Sequence, residues 1–501
     1  MTDRLNGMTA HPSGGSRWLL FFLMACVALS GLAACKGGPF GELGQTVKSI
    51  QITPANPVVA TGASLKMTAM ATYSDGNQLD VTSSATWSSS NTAVATIKSA
   101  GQVVAVATGI TTIDASFSGV TGTMQLSVTS SGAGVPPGYA YVTSADTQGQ
   151  KVPGAILQYK IGSDGTLAPM SVASVPTGID PTTIVSDRSG NYVYVANAGD
   201  ATISQYAVGT GGALVPLTPN VISIPSGGSH SLTVDPKGSF LYVVIGTGSP
   251  SGSTAVIAQF SIGSNGTLAP LAEPAVTIAT PVAGSLTFDS SGEFGYLAAG
   301  TSTAGQVIQF SVSSDGALVP LSPATVAASA TAVGVSVAPG GMTAYVLSAC
   351  IDSACDAQIA QFTIGSTGQL TSVRATTLNP GSSQIPIAMV TSGAGSNAYL
   401  LANPRSPASS AGLVFQYTID SGGGLALDTP NSLSLTSRAV AESTYGSNLY
   451  ALGANSTFGG SINQYTIQSD GLLAAGATTS IATGVPTATS QPTAITLVVA
   501  H

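Results

Sequence analysis

From Val47 almost to the C-terminus, apolar and polar positions alternate in short runs, and Gly, Asp and Asn break the runs apart. Period-two alternation of this kind predicts half-buried β-strands joined by tight turns. Early runs are Val47 to Ile52, Leu65 to Tyr73, Val103 to Ala107 and Met124 to Val128, with Asp75-Gly76 as one turn signal. Beyond Tyr139 the pattern repeats. The segment ILQYKIGSDGTL from Ile156 returns, with changes, from Ile203, Ile257, Val307, Ile359, Val414 and Ile462. Its glutamines fall at Gln158, Gln205, Gln259, Gln309, Gln361, Gln416 and Gln464. Short strands inside a repeat of roughly 50 residues predict propeller blades rather than a helical solenoid.

A second motif lies between these segments, as in DRSGNYVYVAN from Asp187 and DPKGSFLYVV from Asp235. Each blade then reads as an inner strand, a Gly-containing turn, a Tyr-bearing strand, the glutamine strand and an outer strand. The chain ends complete one another. Tyr139 to Thr143 begins with a second strand, and Gln491 to Val499 is an inner strand with nothing after it. The expected fold is therefore all-β: a seven-bladed propeller over 139–501, closed by the C-terminal strand so that no sheet edge is left open. Residues 47–130 form a separate module of about seven short strands, expected as an Ig-like sandwich whose central Trp87 fills the space between sheets. The Ser/Gly/Pro-rich 131–138 is its linker to the propeller.

Residues 1–34 carry Arg4 and Arg17 ahead of the apolar run Trp18 to Ala34, the pattern of an export signal, with a retained membrane anchor as the alternative. The run ends in Leu32-Ala33-Ala34-Cys35, which resembles the lipobox of bacterial lipoproteins. That resemblance implies acylation of Cys35, a membrane-tethered protein with 35–46 as a flexible Gly-rich spacer, and, with Lys36 following, an outer-membrane address. Cys350 and Cys355 form a close pair that reads as a disulfide in an exported chain. A zinc site is the competing reading, but further ligands are not nearby. The net charge is −8 with only 7% charged residues. Such a surface has little with which to neutralise phosphates, so nucleic acid is not an expected partner.

The run from Ala85 to Ile97 (ATWSSSNTAVATI), continued by Ala107 to Ile113, resembles the bacterial Ig-like group 2 family. This implies a spacer, or a carbohydrate- or cell-contacting module. The Tyr-Val-Thr strand, the D-P-x-G turn and the glutamine segment together resemble the seven-bladed lactonase family, which includes 6-phosphogluconolactonases. Counting back a fixed distance from the blade tyrosines gives Thr182, His230, Gly284, Val333, Ile387 and Arg438 as matched axial positions, with Thr493 from the closing strand. Of these only His230 and Arg438 ionise. The resemblance implies an active-site histidine near His230, and Arg438 would supply an oxyanion-stabilising cation. A structural histidine is the simpler reading. Only four glutamates occur (Glu42, Glu273, Glu293 and Glu442), none in the family's active-site context. The Ser-Asp-Gly turns at Asp164, Asp315 and Asp470 are expected as hairpins, since one Asp per turn does not make a calcium loop. No metal or cofactor is implied. The expected role is binding of a glycan, peptide or envelope protein; hydrolysis of a sugar lactone is the rival.

Overall fold

The computed structural model describes residues 46–499 apart from 54–57, 61–63, 108, 130–137, 147–150, 228, 248–253, 281–283, 301–303, 329–331, 350–356, 378–383, 393–394, 406–410, 421, 456–458, 469, 482–486 and 488. Cys35, Cys350 and Cys355, the export segment and most of the linker lie outside the described residues.

Among the described residues, the first module holds ten strands in three sheets. Its core is built from alternating inward positions: Met67, Ala69, Ala71, Ala95, Ile113, Ala115 and Leu126 are all fully buried. Trp87 does not occupy the centre as expected. It is half-buried at the margin of this cluster, and its indole N–H donates to the Thr82 carbonyl at 2.9 Å. Small residues such as Ala69, Ala71 and Ala115 take much of the middle, and a polar partner holds the ring at the edge.

The rest of the chain forms seven four-stranded antiparallel sheets in the order expected. Blade 1 combines the strands Gly138–Asp146, Pro153–Ile161 and Leu167–Ile179 with the C-terminal strand Ser490–Val499, which lies innermost. The closing pair runs from Gly138↔Val499 to Asp146↔Ser490. Blades 2 to 7 follow in sequence, each entering at its inner strand: Pro181–Ser186, Ser229–Val234, Thr287–Phe288, Ala332–Val337, Gln384–Thr391 and Arg438–Tyr445. Apolar side chains from facing sheets mesh between neighbouring blades, so the core is a ring of separate clusters. Pro169, Pro216, Pro270 and Pro320 recur near the start of the outer strands, where each removes a donor from an edge that would otherwise invite pairing.

Candidate functional site

The repeated polar side chains act as fasteners between blades. In all seven blades the buried tyrosine hydroxyl donates to a glycine carbonyl in the hairpin turn of the next blade. Tyr141, Tyr194, Tyr242, Tyr296, Tyr345 and Tyr399 reach Gly212, Gly266, Gly316, Gly368, Gly423 and Gly471, at 2.6 to 2.8 Å. Tyr450 completes the circle by reaching Gly165 of blade 1 at 2.7 Å. Burial is the largest cause raising the pKa of each of these phenols, so they remain donors across the physiological range.

The glutamines do similar work. Gln158, Gln205, Gln259, Gln309 and Gln416 accept from the amides of Leu214, Leu268, Leu318, Leu370 and Leu473 in the following blade. The same five side chains donate to a carbonyl of their own outer strand. Gln361 departs from this scheme, accepting from Arg374 Nε at 2.8 Å and donating to Gly422 at 2.7 Å. Gln464 also departs, donating to the Asp164 carbonyl at 2.9 Å. The Ser-Asp-Gly turns are hairpins, as expected: Asp164 accepts from the Thr166 amide and hydroxyl, and these bonds lower its pKa. Among the described residues no group of three or more His, Cys, Asp or Glu side chains is placed to hold a metal.

The start of the inner strand is where the axial candidates were expected. In five blades the ladder slips there by one residue, leaving Thr182, Val333, Ile387, Val440 and Thr493 as β-bulges. Such bulges re-aim side chains and are common beside binding sites. All five are partly exposed. Thr493 ties its neighbours together, with its hydroxyl 2.8 Å from that of Thr143 and donating to the Pro181 carbonyl at 2.7 Å.

His230 and Arg438 do not share this position. In blade 3 the ladder runs without a slip and His230 lies opposite Ile245. Pro181, Ala332, Pro386, Ala439 and Pro492 take the matching place in the bulged blades. Arg438 opposes Ala454, one pair further out, and is half-buried. The matched bulge residue in blade 7 is Val440. The cause is a short turn: Tyr445 pairs with Asn448 across Gly446-Ser447, whereas blade 2 spends four residues, 188–191, between Asp187 and Tyr192. Counting back from Tyr450 therefore overshoots by two.

That same shortening hid Glu442. Glu442 pairs with Ala451, and its counterparts are Ile184, Leu232, Leu286, Val335, Met389 and Ile495, all buried between blades. Both Glu442 carboxyl oxygens are buried without a hydrogen bond of ordinary geometry. Burial raises its pKa well above the ordinary value, and the nearby backbone of Leu401 and Val390 only partly offsets this. A repeat alignment that respects the shorter turn would have found this carboxyl in an aliphatic column.

Residues 46–130 match the bacterial Ig-like domain (group 2), and residues 138–379 match the family described as lactonase, 7-bladed beta-propeller. A periplasmic gluconolactonase of Pseudomonas aeruginosa superposes with a TM-score of 0.57 at 15% identity, covering 73% of this chain and all of that one. A protein of Bacteroides fragilis described as a candidate 6-phosphogluconolactonase gives 0.53 at 16% identity, covering 72% of this chain and 98% of the other. At such identities the likeness concerns the fold alone. Ice-binding protein 1 of Shewanella frigidimarina is 32% identical over 171 residues, 34% of this chain; the match spans only 18% of that protein's length. Together these findings mean that the chain joins a domain matching the group 2 bacterial Ig-like family to a seven-bladed propeller whose residues 138–379 match the lactonase family.

Proposed function

We propose that this is a cell-envelope protein, anchored through lipid on Cys35, whose propeller presents a rigid binding surface to a polysaccharide or another envelope component. The observation that carries the reading is the fate of the repeated polar groups. The seven buried tyrosine hydroxyls bind neighbouring blades, and five of the glutamines are bonded both to their own blade and to the next. The five bulge residues at the inner-strand starts are Thr, Val, Ile, Val and Thr, which are not proton-transfer groups at neutral pH. A stiff ring with variable loops between second and third strands suits recognition, because loops on a rigid scaffold carry specificity. The partial likeness to a protein named for binding ice is consistent with this.

The second reading is hydrolysis of a sugar lactone, favoured by the family and by the fold likeness to a gluconolactonase. It requires His230 and Arg438 to meet over one substrate despite their different register positions. The binding reading is tested by retention of the purified full chain on insoluble envelope polysaccharide. Saturable retention supports it. Passage of the chain without retention on polysaccharide, peptidoglycan or envelope protein fractions refutes it.

A further inference from the structure

On the turn side of the ring, a polar groove of about 550 Å3 lies between blades 2 and 3. Arg188, Asn191, Tyr192, Lys237, Ser239 and Ser264 line it. Along the ring, the turn glycine of one blade packs against the second turn residue of the blade before it. A methyl group added to Gly238 would stand 3.0 Å from Arg188 Cβ, and the same relation joins Gly292 to Pro236 and Gly341 to Ser290. In this first contact alone the packed residue is a cation, and the residue preceding the glycine, Lys237, is a second one.

The two basic side chains thus line one groove in an acidic chain that has only 13 Lys and Arg in 501 residues. Neither forms an ion pair among the described residues. Of the neighbouring carboxylates, Asp187 also lines the groove, but the oxygens of both Asp187 and Asp235 are engaged by their own turns. Asp187 accepts from the amides of Ser189 and Tyr192 at 3.1 and 2.8 Å. Asp235 accepts from the amides of Lys237, Ser239 and Phe240 at 3.0, 2.7 and 2.7 Å. Arg188 donates one N–H to the Pro236 carbonyl across the groove, which fixes the guanidinium without neutralising it. Beside it stand the exposed Asn191 amide, the exposed Ser239 hydroxyl and the half-buried Tyr192 ring, whose own hydroxyl donates to Ser264 at 3.2 Å.

We infer that this groove binds a sugar chain bearing carboxylates, a uronate oligosaccharide. Two unpaired cations in one groove call for an anion, and a guanidinium takes a carboxylate through paired N–H bonds. The amide, hydroxyl and aromatic ring around them match the hydroxyl groups and apolar face of a pyranose, and the volume exceeds what a single small anion fills. This deepens the binding reading above and rests on it.

The test is calorimetric titration of the full chain with tetragalacturonate, maltotetraose and inorganic phosphate, for wild type and the double variant Arg188→Ser/Lys237→Ser. Ser290 and Ser291 already stand at these positions in blade 4, so the turns keep a sequence the ring accepts; an unchanged Tm verifies it. Tetragalacturonate binding that weakens by about tenfold or more in the variant, with maltotetraose much weaker than either, is the expected result. Equal binding by the variant, no binding of tetragalacturonate, or phosphate binding as tightly as tetragalacturonate overturns the inference. If the variant and wild type are retained equally on envelope polysaccharide, the groove assignment fails while the wider reading stands. If neither is retained on any envelope fraction, the wider reading fails as well.

Discussion

Replacing Glu442 by leucine should stabilise the propeller, and by an amount that grows with pH. Six of the seven blades place an aliphatic side chain at this position, among them Leu232 and Leu286 at 3% and 1% exposure. Leaving a buried carboxyl without a hydrogen bond of ordinary geometry costs up to roughly 1–3 kcal/mol even when it is neutral. Ionising it costs more. Because the folded pKa lies above the ordinary 4.5, the folded protein holds a proton that the unfolded chain has released. The stability this proton confers is full below 4.5 and is lost as pH climbs through the folded value. Within that window each pH unit removes about 1.4 kcal/mol, so the span from pH 5 to 7 removes at most about 2.7 kcal/mol. Urea unfolding of wild type and Glu442→Leu at pH 5, 6, 7 and 8 reads this directly. The advantage of the variant should widen from pH 5 upward and level off once the pH exceeds the folded value. A constant difference, or a variant less stable at pH 7, would refute the assignment of the Glu442 carboxyl to a buried inter-blade site.

Three further outcomes follow from the same packing. Tyr450→Phe removes the hydroxyl that reaches Gly165 across the join between chain ends, and should cost about 1–3 kcal/mol by denaturant unfolding, since a buried carbonyl loses its partner. Gly266→Ala should be far more harmful than Gly76→Ala: both residues have positive φ, but a methyl at 266 collides with the Tyr192 ring while one at 76 meets nothing within 4 Å. Gly76→Ala should then cost only about 1 kcal/mol from backbone strain, and thermal melts of the pair separate the two contributions. Ending the chain before Ser490 removes the inner strand of blade 1 and its pairing from Gly138 to Asp146. The truncated chain should lose the single cooperative propeller transition and expose apolar surface to a fluorescent dye.

Much of the fold was legible because repetition reinforces a weak local signal. One alternating run hardly distinguishes a strand from a loop, but seven copies of the glutamine segment fix both the blade and the count. Closure was legible because Tyr139 to Thr143 and Gln491 to Val499 are each incomplete alone. The partners of the repeated side chains were not legible. Tyr194 and Gln158 are satisfied by residues 72 and 56 positions away, in a blade whose angle to the first no linear pattern encodes. The axial residues were misaligned for a local reason, the two-residue turn at Gly446-Ser447, which moved Arg438 outward and concealed Glu442. Trp87 was assigned the middle of the sandwich on its size, whereas the buried centre is filled by residues such as Ala69, Ala71 and Ala115 and the indole packs at its rim.

The most direct test of the central claim, that the ring binds rather than catalyses, is a hydrolysis assay on a panel of lactones that includes unphosphorylated sugar lactones. Wild type is run beside His230→Ala and Arg438→Ala. The account predicts no turnover by wild type above that of either variant. Turnover that disappears in both variants would contradict it and place an active site at the axis of the propeller.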